Sequence, residues 1–135
     1  MSRFVINIDV PDLPAAERFY TAAFGLRLGR RLGHDATELL GWPAPAYLLL
    51  KPAGTTGAGT DPRRYTRHWT PLHLDIVVED VDATIARALA AGAVLEVPPR
   101  DDPYGRIAML ADPFGHGFCV IAFNAVGYDA LDVAP

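Results

Sequence analysis

Apolar and polar positions alternate along this chain at two periods, and the switches between them mark its elements. Phe4, Ile6, Ile8 and Val10 alternate with Val5, Asn7 and Asp9, which predicts a strand with one oily face. Asp12 is placed to cap a helix and Pro14 suits its first turn. Ala16, Phe19, Tyr20, Ala23 and Phe24 then recur at helical spacing up to Gly25, a natural stop. Short strands are predicted over 26–32, 36–40 and 46–50, the first two joined through Gly33-His34-Asp35. From Pro52 to Pro71 the periodicity is lost to glycine, proline and threonine, which predicts a loop long enough to act as a connector or a lid.

The pattern then begins again. Leu74, Ile76 and Val78 alternate with His73, Asp75 and Val77 in a strand predicted over 72–79. A helix follows from Asp82 to Ala91 and ends at Gly92. A strand over 94–97 leads to a turn through Pro98, Pro99, Asp101, Asp102 and Pro103. Strands over 106–110 and 117–123 flank the turn Asp112-Pro113-Phe114-Gly115, and 124–135 has no clear period. Val10-Pro11-Asp12 matches Val78-Glu79-Asp80 at an offset of 68 residues, so the chain reads as an internal repeat. Each copy is strand, helix and three strands, an α+β arrangement in one domain. Module one covers 3–51, a linker 52–71, module two 72–123 and a tail 124–135. In such a pair the helix-covered faces hold the core and the other faces curl around a cleft. That cleft is expected to carry Val5, Asn7 and Asp9 from one copy and His73, Asp75 and Val77 from the other.

Composition narrows the partners. Half of the 135 residues are hydrophobic, so the chain can bury a core. A net charge of −4 disfavours nucleic acid and anionic membrane as partners. No apolar run approaches the roughly 18 residues that span a bilayer. The N-terminus enters a strand pattern without a signal-peptide layout, and one cysteine permits no internal disulfide. These features point to a soluble cytoplasmic protein.

His73 is the central candidate, as a hydrogen-bonding group or general base, because imidazole titrates near neutral pH. The alternative is a residue held quietly by Asp75 or by backbone. Asn7, Asp9 and Asp75 share its expected face. Tyr47, Trp42 and Tyr104 are candidates for an aromatic lining, and Arg106 for holding an anionic group. Cys119 is either a nucleophile, if something lowers its pKa, or core. Arg63, Arg64, Arg67 and His68 form a dense basic stretch expected to be solvated.

Several motifs in sequence order resemble the vicinal oxygen chelate superfamily of glyoxalases, bleomycin-resistance proteins and extradiol dioxygenases. They are Asp12-Leu13 with Ala16-Glu17-Arg18-Phe19-Tyr20 and Phe24-Gly25-Leu26, then His73-Leu74-Asp75 with Val78-Glu79-Asp80-Val81. Ala91-Gly92-Ala93 and Asp112-Pro113-Phe114-Gly115-His116 with Phe118-Cys119 complete the series, over roughly residues 3 to 123. The resemblance implies paired βαβββ modules, homodimers, and metal ligands drawn from the first and last strand of each module. Carried over, those positions fall on Val5, on Leu48 or Leu49, on His73 and on Cys119. Two are aliphatic, so no metal and no cofactor is expected. The expected function is binding of a small metabolite or drug. The alternatives are a lyase, isomerase or dioxygenase using His73 as base or metal ligand, and an interaction module with a vestigial cleft.

Overall fold

The computed structural model describes residues 1–133. It divides into two compact units, Met1–Thr66 and a second beginning at Arg67, with the boundary inside the expected linker.

In unit one, β1 (Ile6–Val10) leads through Asp12 into α1 (Leu13–Phe24). The Asp12 side chain accepts from the Ala15 amide at 3.0 Å, satisfying one of the helix's free donors. Gly25 ends the helix in the left-handed region. Strands β2 (Arg27–Leu32), β3 (Ala36–Leu40) and β4 (Ala46–Leu50) complete a sheet of order β1-β4-β3-β2, in which β1 runs parallel to β4. Helix α1 buries Phe19, Tyr20 and Ala23 on the sheet face carrying Ile8, Val10, Leu39 and Leu48. Deleting a ring as enclosed as Phe19 typically costs about 3–5 kcal/mol. Trp42 packs edge-on to Tyr20 and beside Phe24, so it belongs to this helix cluster.

Unit two repeats the plan. Strand β5 (Leu74–Val77), helix α2 (Val81–Ala90), β6 (Val94–Asp102), β7 (Gly105–Ala111) and β8 (Gly117–Phe123) form a sheet of order β5-β8-β7-β6. Again the first strand is parallel to the last, and Asp80 caps the helix through the Ala83 amide. The repeat therefore extends to topology and pairing. Among the described residues no helix is long and apolar enough to cross a membrane.

Four details depart from the sequence expectation. Strand β5 starts at Leu74, so His73 stands just ahead of it. The prolines at 98 and 99 do not end β6, which runs on to Asp102. Register shifts between Leu95 and Val97 and between Val97 and Arg100 absorb them, as bulges do where proline cannot donate to a ladder. The tail forms a 3₁₀ turn at Gly127–Leu131. It is started by the Asn124 carboxamide, which accepts from the Val126 and Gly127 amides, and Tyr128 packs on Phe123 and Tyr104. Finally, the basic stretch is solvated only in part: Arg64 and His68 are exposed, while Arg63 and Arg67 are drawn in. Arg63 reaches Asp9 at 2.7 Å, Arg67 reaches Glu96 at 2.7 Å, and Arg64 pairs with Asp61 at 3.3 Å. The loop's first part folds back on itself around a Thr56–Pro62 bridge, with the Gly54 amide donating to the Arg63 carbonyl and the Arg63 amide to the Thr55 carbonyl, and Tyr65 donates to the Lys51 carbonyl.

Glu17 is the buried charge of unit one. Its carboxylate takes both ends of the Arg31 guanidinium, at 2.7 and 3.0 Å, and the Thr37 hydroxyl at 2.9 Å. The Arg31 hydrogen bonds hold its pKa below the usual carboxylate value of 4.5, against the opposing effect of burial. A depressed folded value adds stability above the unfolded value, and that stability disappears as pH falls through the folded one. Glu17→Gln is therefore expected to be less stable than the parent at pH 7, with the gap in urea midpoint closing as the pH drops below about 4.5. A gap that stays constant down to the acid transition would remove Glu17 from the acid limb.

Candidate functional site

Sheet register decides which side chains share a face. In unit two, Asp75 sits beside Cys119, and Cys119 beside Met109. Alternation then puts Val77, Ile107 and Ile121 on that same face. The opposite face carries Ala108, Leu110 and Val120, all enclosed, and is the one α2 covers. The face turned away from α2 is thus polar at one end and apolar beyond it.

The polar end is a three-membered cluster. His73 Nε2 lies 3.3 Å from Asp75 Oδ1, with the imidazole 30% and the carboxylate side chain 39% exposed. The Cys119 thiol hydrogen-bonds to the Asp75 carboxylate from a buried position. One ligand-capable atom of each residue lies within 4.8 Å of the others. The Trp69 ring, 5.0 Å from the imidazole, packs against it at a tilt. Asp75 is the shared acceptor, because an ionised carboxylate only accepts and has lone pairs for several donors, whereas the imidazole N–H and the thiol S–H can each donate to it.

Burial pushes the Cys119 thiol up to about 11, helped by the negative charge and hydrogen bond of Asp75. At neutral pH only about one molecule in 10⁴ carries the thiolate. Cys119 is therefore a weak hydrogen-bond donor rather than a nucleophile.

The other expected site residues are distributed differently. In unit one, Asn7 is exposed beside Tyr47, and Tyr47 is beside Glu38. Asp9 is engaged by Arg63, so it is no solvated strand-end acid. Tyr104 lies in the β6–β7 turn, donates to Asp102 at 3.0 Å and packs on Tyr128. It sits at the Phe123 end of the sheet, about 13 Å along β8 from Cys119 at the usual rise per residue. Arg106 is on the α2 face, where it binds Asp82 through two nitrogens at 3.1 Å and Asp101 at 3.0 Å. Its charge is satisfied there by these two carboxylates, away from the face of Asp75 and Cys119. The sequence reading missed Trp69 as a partner of His73, although a tryptophan four residues ahead of the histidine was in view. It also missed Glu96, whose position in a bulge no alternation rule exposes.

Two βαβββ units, each with its helix on one sheet face, define the vicinal oxygen chelate class of proteins. Within that class the chain belongs to the glyoxalase-like family, whose domain model matches residues 5–121. The anthracycline biosynthesis protein DnrV of Streptomyces peucetius is 37% identical over 129 residues, covering 93% of this chain and 42% of DnrV. CFP32 of Mycobacterium tuberculosis is 36% identical over 115 residues, 84% of this chain and 40% of CFP32. The chain thus spans less than half the length of these two relatives. A solved glyoxalase-related enzyme from Fulvimarina pelagi superimposes with a TM-score of 0.70 at 22% identity, over 93% of this chain and 90% of that one.

The metal set of the superfamily does not fit this chain. The pair Asn7–Tyr47 in unit one occupies the place of Asp75–Cys119 in unit two. The last-strand position of unit one is therefore Tyr47, and neither Leu48 nor Leu49. With Val5 at the first-strand position, unit one offers no imidazole or carboxylate to the set. Unit two offers His73 and Cys119 with Asp75 beside them, and a metal bound there would have to displace the thiol proton.

Titration provides the check. The single thiol, followed by thiolate ultraviolet absorbance, is expected to titrate near 11, and in Asp75→Asn to move down toward the ordinary value of 9.0. A raised folded pKa stabilises fully below the unfolded value, so stability is expected to fall as pH rises from about 9 toward 11. A thiol that titrates below 8 would contradict this geometry.

Proposed function

We propose that this protein binds a small, partly aromatic molecule on the face of β5–β8 turned away from α2. His73 and Asp75 are its polar anchors, the Trp69 ring flanks them, and no metal takes part. What carries the reading is the cluster itself: an imidazole and a carboxylate with solvent access, beside an aromatic ring and next to an apolar strip of sheet. Small-molecule sites have that composition, largely apolar with a few convergent polar groups. Val5 and Tyr47 at the ligand positions of unit one leave the superfamily's metal set incomplete, which favours binding through hydrogen bonds and stacking.

The name of DnrV places that relative in anthracycline biosynthesis. A flat, fused-ring compound edged with hydroxyls suits Trp69, Val77 and Met109, and its hydroxyls suit Asp75. Doxorubicin, a fluorescent anthracycline, is accordingly the first probe. Preferential binding to the folded state stabilises it by about 2.7 kcal/mol at a hundredfold excess over Kd. The expected result is a rise in melting temperature that grows with doxorubicin concentration, with ligand fluorescence quenched on binding. Asp75→Asn is expected to weaken binding at least tenfold, about 1.4 kcal/mol. No shift with doxorubicin or with a panel of simpler hydroxyanthraquinones and naphthols would end this reading.

The 3.3 Å contact between His73 and Asp75 favours one second reading, an enzyme in which His73 is the general base and Asp75 orients it. On that reading His73→Asn abolishes turnover of the bound compound and leaves its affinity within a few fold. On the binding reading no turnover is found and affinity itself falls.

A further inference from the structure

Arg67 lies over a glycine. An ideal Cβ built on Gly117 would overlap the guanidinium nitrogens and Cζ of Arg67, so an alanine there would push the guanidinium from its place. Gly117 opens β8 two residues before Cys119, and alternation puts the missing Cβ on the face that carries Asp75 and Cys119. The ladder pairs Leu74 with Phe118, and one step back along both strands brings His73 level with Gly117. The guanidinium is held there by Glu96 on β6, which accepts from Nε at 2.7 Å and from Nη2 at 2.8 Å. Nη1 donates to the His68 carbonyl, and the charge of Asp112 adds to the attraction. Both partners of the ion pair are largely buried, at 24% and 28% exposure, which makes it stronger than an open surface pair. A bidentate fork also fixes direction, which a lysine would not do.

We propose that Arg67, clamped between Glu96 and Gly117, is the positioning residue of the His73 site. The clamp anchors the segment that carries Trp69 and His73, so that the indole packs on the imidazole and the imidazole reaches Asp75. Arg67 also closes that end of the face, and its charge is neutralised by Glu96, so it serves as a wall rather than an anion receptor. A bound molecule must then extend from His73 toward Val77 and Ile107. This inference rests on the binding reading for its consequence, but the clamp can be measured without any ligand.

The test is a double-mutant cycle of Gly117→Ala and Arg67→Ala, read by NMR on the His73 ring protons, which the Trp69 ring current displaces. Gly117→Ala and Arg67→Ala are each expected to move those resonances toward the positions of free histidine. In the Arg67→Ala background, Gly117→Ala is expected to add nothing, because the alanine methyl then meets empty space. Glu96→Gln, which adds no bulk, is expected to move the same resonances in a folded protein, and serves if Gly117→Ala does not fold. Doxorubicin affinity is expected to fall roughly tenfold in the same variants. Unmoved His73 resonances in Glu96→Gln, or a Gly117→Ala effect equally large without Arg67, would overturn the clamp. Absence of doxorubicin binding in the parent protein would count against the binding reading alone, since the resonances report on the clamp without it.

Discussion

The site depends on one carboxylate that accepts from two sides. Asp75 receives the buried Cys119 thiol from the neighbouring strand and faces the His73 imidazole from its own chain. Without Asp75, the thiol would lose its acceptor in an enclosed position and the imidazole its nearest charged partner. Losing a partner from a buried donor generally costs more than the hydrogen bond contributes when made. The parallel pairing of β5 with β8 brings the acid and the thiol level, and that pairing is in turn held by the core beneath it. Fold and site are thus joined at a single register.

Charge elsewhere in the molecule is handled in the same way, by local pairing. Arg31 answers Glu17, Arg63 answers Asp9, Arg67 answers Glu96, and Arg106 answers Asp82 and Asp101. Pairing leaves little net charge around any of these arginines, so none is set up to draw an anion from solution. It also explains why the basic stretch 63–68 fails to behave as its composition suggests. Three of its arginines find acids that are near in the fold though two of these are far in sequence.

Much of the fold was legible because its determinants are local. Alternation exposed the strands, Asp12 and Asp80 announced the helix starts, and the 68-residue offset exposed the repeat. The strand boundaries at 36–40, 46–50 and 117–123 follow directly from the apolar runs. Legibility failed where non-local geometry overrides a local rule. Prolines 98 and 99 read as a turn, but bulges keep them within β6. Arg106 read as able to hold an anionic group, yet the pairing of β7 with β8 sends it to the α2 side, where Asp82 and Asp101 bind it. The ligand position of unit one was misjudged by one or two residues, since only the pairing of β1 with β4 identifies Tyr47 as the counterpart of Cys119. The histidine, acid and cysteine were each visible as candidates. Their convergence on Asp75, and the clamp that holds Trp69 nearby, are properties of pairing between strands.

The most direct test of this account is the S–H stretching band of Cys119, the chain's single thiol, recorded by Raman spectroscopy at neutral pH. The account predicts a protonated thiol whose S–H frequency is lowered by its bond to the Asp75 carboxylate, and a return to the frequency of an unbonded thiol in Asp75→Asn. An S–H band at the free-thiol position in the parent protein, or no S–H band because the sulfur is already thiolate, would contradict it.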